Sequence, residues 1–104
     1  PKAMFIIIGP ADMAKKQKTE FITYPILDDV ISALKKAAFE TNSCFWDMYI
    51  NMGGENSIQK WVLEQPSLAA RDYIHFTNRG AKKIADFFIE DFMRDYKNYL
   101  NQKK

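Results

Sequence analysis

The apolar run "MFIII", Met4 to Ile8, does most to limit the folds open to this chain. It is short, continuous and rich in β-branched side chains, and Gly9-Pro10 ends it. That pattern is the habit of a strand buried on both faces, as in a parallel sheet. A second run of the same kind, "CFW" from Cys44 to Trp46, follows after a helical pattern. Proline suits a first helical turn, so Pro25 is read as opening that helix. Ile26, Leu27, Val30, Ile31, Leu34, Ala37 and Ala38 fall on one stripe, with Asp28, Asp29, Lys35 and Lys36 opposite. Thr41-Asn42-Ser43 stops it. The polar, lysine-bearing stretch 11–24 reads as a surface loop.

Further along, "ENSIQKWVLEQ" suits a short helix with Ile58, Trp61 and Val62 inward, interrupted by Pro66. A long helix then starts from Thr77 or Asn78 as N-cap, and Ala81, Ile84, Ala85, Phe88, Phe92, Met93, Tyr96 and Leu100 recur along it at helical spacing. The order strand, helix, strand, helix predicts an α/β fold with parallel strands joined by crossovers. Two strands buried on both faces need neighbouring strands and covering helices, which this chain does not supply. The expectation is therefore a single partial domain over residues 1–104, incomplete on its own, with the rest of its sheet in a preceding part of the same domain or in a second chain. A first residue other than methionine points the same way.

A hydrophobic share of 47% over 104 residues requires a packed core. The net charge of +2 comes from interspersed charges, so the basic face of a nucleic-acid binder is not expected. The longest uncharged apolar stretch is too short to span a membrane. With one cysteine, Cys44, and one histidine, His75, the chain has no internal disulfide and no convincing metal-ligand set. No cofactor is expected. Cys44 is read as a buried strand residue.

That histidine stands three residues after Asp72, just ahead of the long helix. A histidine acting as general base needs Nε2 free for its substrate or nucleophile and Nδ1 held by an acceptor, usually a carboxylate. Asp72 and His75 meet this need if their loop turns back on itself; otherwise they simply flank a helix. Four serines are present, Ser32, Ser43, Ser57 and Ser67, and none has the context of a nucleophile elbow. Ser57, after the glycine-containing "MGGEN", is better suited to capping a helix. Gly53 and Gly54 either make a turn or let backbone N–H groups approach a bound acyl or sugar group. Asn56 is open to substrate binding or capping, and Trp61 to sugar stacking or packing, whereas Trp46 is assigned to packing. Asp12 follows a strand's C-terminal end, where α/β sheets bind ligands. Arg71 and Arg79 flank the Asp72–His75 segment.

The stretch "DYIHFTNRGAKKIADFF" resembles the final sequence block of the SGNH hydrolases, the GDSL-type esterase and lipase family, through Asp72, His75, Thr77, Gly80 and Ala85. "FIIIGPADM" is similar to that family's late central strand with its Gly-Pro loop, and "FWDMYINMGGENSIQKWV" to the segment after its last strand in a branch of carbohydrate-directed bacterial esterases. What the resemblance implies is the C-terminal portion of a three-layer α/β/α, flavodoxin-like sandwich. It also implies ester hydrolysis through an acyl-serine, with His75 as general base and Asp72 as its orienting partner. The substrate class implied is a small-molecule or carbohydrate ester, O-acetyl or acyl, and the branch suggests an exported, periplasmic or secreted protein. The family's nucleophile lies in an early Gly-Asp-Ser block, and no Gly-Asp-Ser occurs here. Nucleophile and oxyanion hole are thus expected outside this chain. The rival reading is a non-catalytic α/β fragment or interaction module that keeps the Asp-x-x-His loop only as structure.

Overall fold

In the computed structural model, which describes residues 3–103, the elements in chain order are β1 (Ile6–Ile8), β2 (Ala14–Gln17), β3 (Glu20–Thr23), α1 (Leu27–Glu40), β4 (Cys44–Trp46), α2 (Met48–Met52), α3 (Ser57–Leu63) and α4 (Asn78–Gln102). The two apolar runs pair side by side and parallel, with Ile6 opposite Cys44, Ile7 opposite Phe45 and Ile8 opposite Trp46. Because side chains alternate along a strand, Ile7 and Phe45 share one face and Ile6, Ile8, Cys44 and Trp46 the other. On the first face Phe45 packs against Leu27 and Ile31 of α1 and against Tyr49. On the second, the Trp46 ring meets Phe88 of α4 edge-on at 5.3 Å, and its Nε1–H donates to Asp91 at 2.8 Å. Helix, parallel pair and helix therefore form three layers, the α/β fold class that the run pattern predicts.

The main core lies beside this pair, in segments that follow the C-terminal ends of β1 and β4. Ala14, Met52, Ile58, Trp61, Leu68 and Ala69 form it, with Phe21, Phe76, Ile84 and Phe87 packed around them. Ile58 reaches this core because α3 forms where "ENSIQKWVLEQ" predicts a helix.

Three expectations are corrected. The stretch read as a surface loop holds the β2–β3 hairpin, paired from Ala14–Thr23 to Gln17–Glu20. Its two-residue turn sets Lys18 at φ 58°, a left-handed conformation usually taken by glycine or asparagine, so the usual turn signal is absent. The helix α1 begins at Leu27, after a turn in which Leu27 N–H donates to the Tyr24 carbonyl, and not at Pro25. Cys44 is exposed, since its face of the sheet is only partly covered by α4. The helix α2 has no counterpart in the sequence reading; Asp47 caps it by accepting from Ile50 N–H at 2.9 Å.

The radius of gyration is 15.9 Å, against about 13 Å for a close-packed domain of this size. Its extents of 55 × 30 × 17 Å describe a slab with α4 running past the sheet. No helix among the described residues is long and apolar enough to cross a membrane.

Candidate functional site

The segment from Ser67 to Gly80 folds back on itself. Ala69 and Phe76 form an antiparallel bridge, Ala70 N–H donates to the His75 carbonyl at 2.8 Å, and Thr77 N–H to the Leu68 carbonyl at 3.1 Å. At the tip Tyr73 takes φ 61°, a left-handed conformation that costs a non-glycine residue about 1–2 kcal/mol. Two contacts with the β2–β3 hairpin offset it. The Tyr73 ring stacks on Phe21 with centroids 3.8 Å apart, and its carbonyl accepts Ala14 N–H at 3.0 Å.

This turn directs successive amides at one carboxylate. Ile74 N–H and His75 N–H donate to Asp72 Oδ1 at 2.9 and 3.0 Å, and His75 Nδ1 lies 2.5 Å from Asp72 Oδ2. The three bonds, led by the backbone N–H of His75, then its ring, then Ile74 N–H, lower the Asp72 pKa from 3.8 to about 2. An ionised carboxylate only accepts, so Nδ1 is the donor, and in the neutral ring Nε2 presents a lone pair. Among the described residues nothing hydrogen-bonds Nε2, and the His75 side chain is 77% exposed against 46% for Asp72. The arrangement can accept a proton at Nε2 and stabilise the resulting imidazolium through Asp72.

A pH consequence follows. A carboxyl whose folded pKa is depressed holds its bonds above its ordinary pKa and loses them as pH falls through the folded value. The Asp72 carboxyl carbon, followed by NMR, is expected to titrate with a midpoint near 2; a midpoint near 4 would mean that the turn does not hold it.

The helix α4 starts against the same loop. Thr77 Oγ1 accepts Gly80 N–H at 3.2 Å as N-cap and donates to the Ser67 carbonyl at 2.7 Å. A Cβ on Gly80 would fall 1.8 Å from the Leu68 carbonyl oxygen, so only glycine lets the helix start sit this close to the loop.

The remaining site candidates are spread around the core. Gly53 and Gly54, at φ 122° and 81°, close the C-terminal turn of α2, donating to the Ile50 and Tyr49 carbonyls at 3.0 and 2.9 Å. Their N–H groups are thereby committed, and the structure favours the turn over an acyl-binding role. Asn56, at φ 64°, donates its N–H to Thr23 Oγ1 at 2.9 Å and accepts from Gln59 Nε2 at 3.1 Å. Trp61 is corrected to a core residue: it is 6% exposed, its Nε1–H donates to the Met52 carbonyl at 3.0 Å, and its ring lies against Phe76 at 5.6 Å. It has no face to offer a sugar, but it supports the residue next to His75. Asp12 is fully buried instead of lining a pocket; it accepts from Ile58 N–H and Thr23 Oγ1 at 2.9 and 2.8 Å and so caps α3.

None of the four serines, all among the described residues, is poised to react. The Ser57 hydroxyl is buried and directed at Asp12 at 3.5 Å, Ser67 donates to the Val62 and Ala69 carbonyls, Ser43 pairs with Thr41, and Ser32 is on the exposed side of α1. Arg71 and Arg79 are exposed. Among the described residues no group of three or more histidine, cysteine, aspartate or glutamate side chains could hold a metal ion. The sequence reading missed Tyr73 and Phe21, whose stack fixes the loop, because two aromatics 52 positions apart carry no local signal of their contact.

What the chain presents is thus an α/β/α layering with an exposed, hydrogen-bonded acid–base pair on a loop beyond the strands. No family model matches the sequence, and no curated protein matches it. Among solved structures it resembles one described as "Peptidoglycan O-acetylesterase in action, 5 min", with a TM-score of 0.82 at 23% identity. The match covers 92% of this chain and 27% of that one, so the chain spans about a quarter of that protein's length. The likeness establishes the fold, a mixed α/β arrangement shared with a solved esterase.

Proposed function

We propose that this chain is the C-terminal part of an SGNH-type serine esterase acting on carboxylic esters, with acetyl or other acyl groups on carbohydrate as the substrate class. The observation that carries the reading is the Asp72–His75 pair, with Nδ1 held by an ionised carboxylate and Nε2 open to solvent. The fold likeness to a peptidoglycan O-acetylesterase supports the substrate class. In this reading His75 Nε2 removes the proton from a serine hydroxyl supplied from outside these residues as that oxygen attacks the ester carbonyl. Asp72 stabilises the imidazolium, which then passes its proton to the departing alcohol. Water, activated by the same nitrogen, releases the acyl group as the free acid and restores the serine. An oxyanion hole also comes from outside, because the Gly53 and Gly54 amides are used in the turn.

The test is hydrolysis of 4-nitrophenyl acetate by the protein from its native source. Activity that His75→Ala removes supports the reading. Full activity in that variant would overturn it and leave the loop a purely structural feature.

A further inference from the structure

Both amides that donate to Asp72 Oδ1 follow Tyr73 in the chain, so the left-handed turn at Tyr73 is what aims them at the carboxylate. An L-residue other than glycine prefers the right-handed or extended regions. Rotation of the Tyr73 backbone into either region carries the Ile74 and His75 N–H groups, and the His75 ring with them, away from Asp72. Glycine would take φ 61° without help. With tyrosine at this position, the turn depends on what holds the ring.

Within the loop, Tyr73 N–H donates to the Ala70 carbonyl at 3.0 Å, which secures only the entry to the turn. The β2–β3 hairpin secures the rest. Its Ala14 N–H donates to the Tyr73 carbonyl, and its Phe21 ring lies on the Tyr73 ring with the two planes 12° apart. Phe21 is itself held from α3, where Gln59 Nε2 donates to the Phe21 carbonyl at 2.8 Å. Two residues further on, Thr23 is tied to the buried Asp12 and to Asn56 N–H, which anchors the base of the hairpin. The Phe21 ring is thus a fixed platform set against a residue that needs one.

We infer that Phe21 is a positioning residue for the Asp72–His75 pair: through the Tyr73 ring it holds the turn that keeps the Asp72 carboxylate on Nδ1 of His75. This role is distinct from closing the loop, because the bridge between Ala69 and Phe76 closes it further back. Loss of the stack leaves that bridge in place and releases the tip. Among the described residues Asp72 pairs with no charged group but His75, and both Arg71, beside it in the chain, and Lys16, opposite Phe21 in the hairpin, are exposed. The effect of Phe21 therefore passes through the amide bonds and not through a charge on the hairpin. The inference rests on the esterase reading only for its consequence in hydrolysis.

A double-mutant cycle in the protein from its native source tests it. Phe21→Leu keeps apolar bulk at this half-buried position and removes the flat ring, Phe21→Tyr keeps the ring, and Tyr73→Gly forms the turn unaided. The Asp72 carboxyl midpoint, followed by NMR, is expected to rise from about 2 to about 3 or above in Phe21→Leu and to stay in place in Phe21→Tyr. With Tyr73→Gly present, Phe21→Leu is expected no longer to move it. Under the esterase reading, kcat for 4-nitrophenyl acetate falls about 10- to 100-fold in Phe21→Leu with KM within about 2-fold, and recovers in the double variant. An unmoved midpoint in Phe21→Leu would overturn the inference, as would an equal rise in Phe21→Tyr, a rise that Tyr73→Gly does not cancel, or a Phe21→Leu chain that fails to fold. A midpoint that behaves as expected in a protein whose hydrolysis survives His75→Ala upholds the positioning and fails the esterase reading, so the two results are separate.

Discussion

Under the proposed esterase function, His75→Ala is expected to lower kcat for ester hydrolysis by about 10⁴-fold or more in the protein from its native source, because loss of the proposed general base disables the covalent route as fully as loss of the nucleophile. The same change is expected to leave stability within about 0.5 kcal/mol of the parent, since the side chain is largely exposed and the loop is held by backbone bonds and the Tyr73–Phe21 stack. Asp72→Asn separates orientation from protonation. It removes the charge that stabilises the imidazolium and puts a donor where Nδ1–H needs an acceptor, and a loss of about 10⁴-fold is expected. Steady-state kinetics with thermal unfolding read both effects. An inactive His75→Ala protein that has also unfolded would contradict the assignment of His75 to chemistry and not to structure.

Gly80→Ala is expected to destabilise the fold by about 3 kcal/mol or more, as an overpacked contact that backbone atoms cannot relieve. The added methyl would meet the Leu68 carbonyl oxygen at 1.8 Å and its carbon at 2.8 Å. That carbonyl is fixed by Thr77 N–H, and Leu68 is in the core, so relief requires α4 to move away from the loop. Elsewhere in a helix the same exchange stabilises by about 1 kcal/mol through propensity, so the sign of the effect decides the matter. Ala85→Gly, on the exposed side of the same helix, is the control, with an expected cost of about 1 kcal/mol. Urea unfolding checks it; a Gly80→Ala protein as stable as the parent would mean that helix and loop do not meet this closely.

What is legible in the sequence is what depends on neighbours along the chain. "MFIII" and "CFW" pair as parallel strands because continuous apolar runs suit few other places, and Thr77 caps α4 because its hydroxyl need only reach three residues ahead. Asp72 and His75 also lie within one turn, so their pairing can be anticipated from spacing. The turn itself cannot, since it rests on a left-handed Tyr73 stabilised by Phe21, 52 positions earlier in the chain. The hairpin is hidden for a related reason: Lys18 takes a positive φ that sequence patterns assign to glycine. Trp61 and Asp12 mislead because an indole or a carboxylate has the same letter in a pocket as in a core, and only the partners Met52, Phe76, Thr23 and Ile58 decide between them. Cys44 looks buried as a strand residue but is exposed because α4 covers its face only in part.

The central claim is that Asp72 and His75 serve a serine nucleophile lying outside these residues. Its most direct test is the intact mass of the native-source protein before and after treatment with a serine-directed fluorophosphonate. The predicted result is a chain heavier than 12.1 kDa that gains one adduct, lost in His75→Ala and located on a serine other than Ser32, Ser43, Ser57 or Ser67. A 12.1 kDa chain that gains no adduct, or an adduct on one of those four serines, would contradict it.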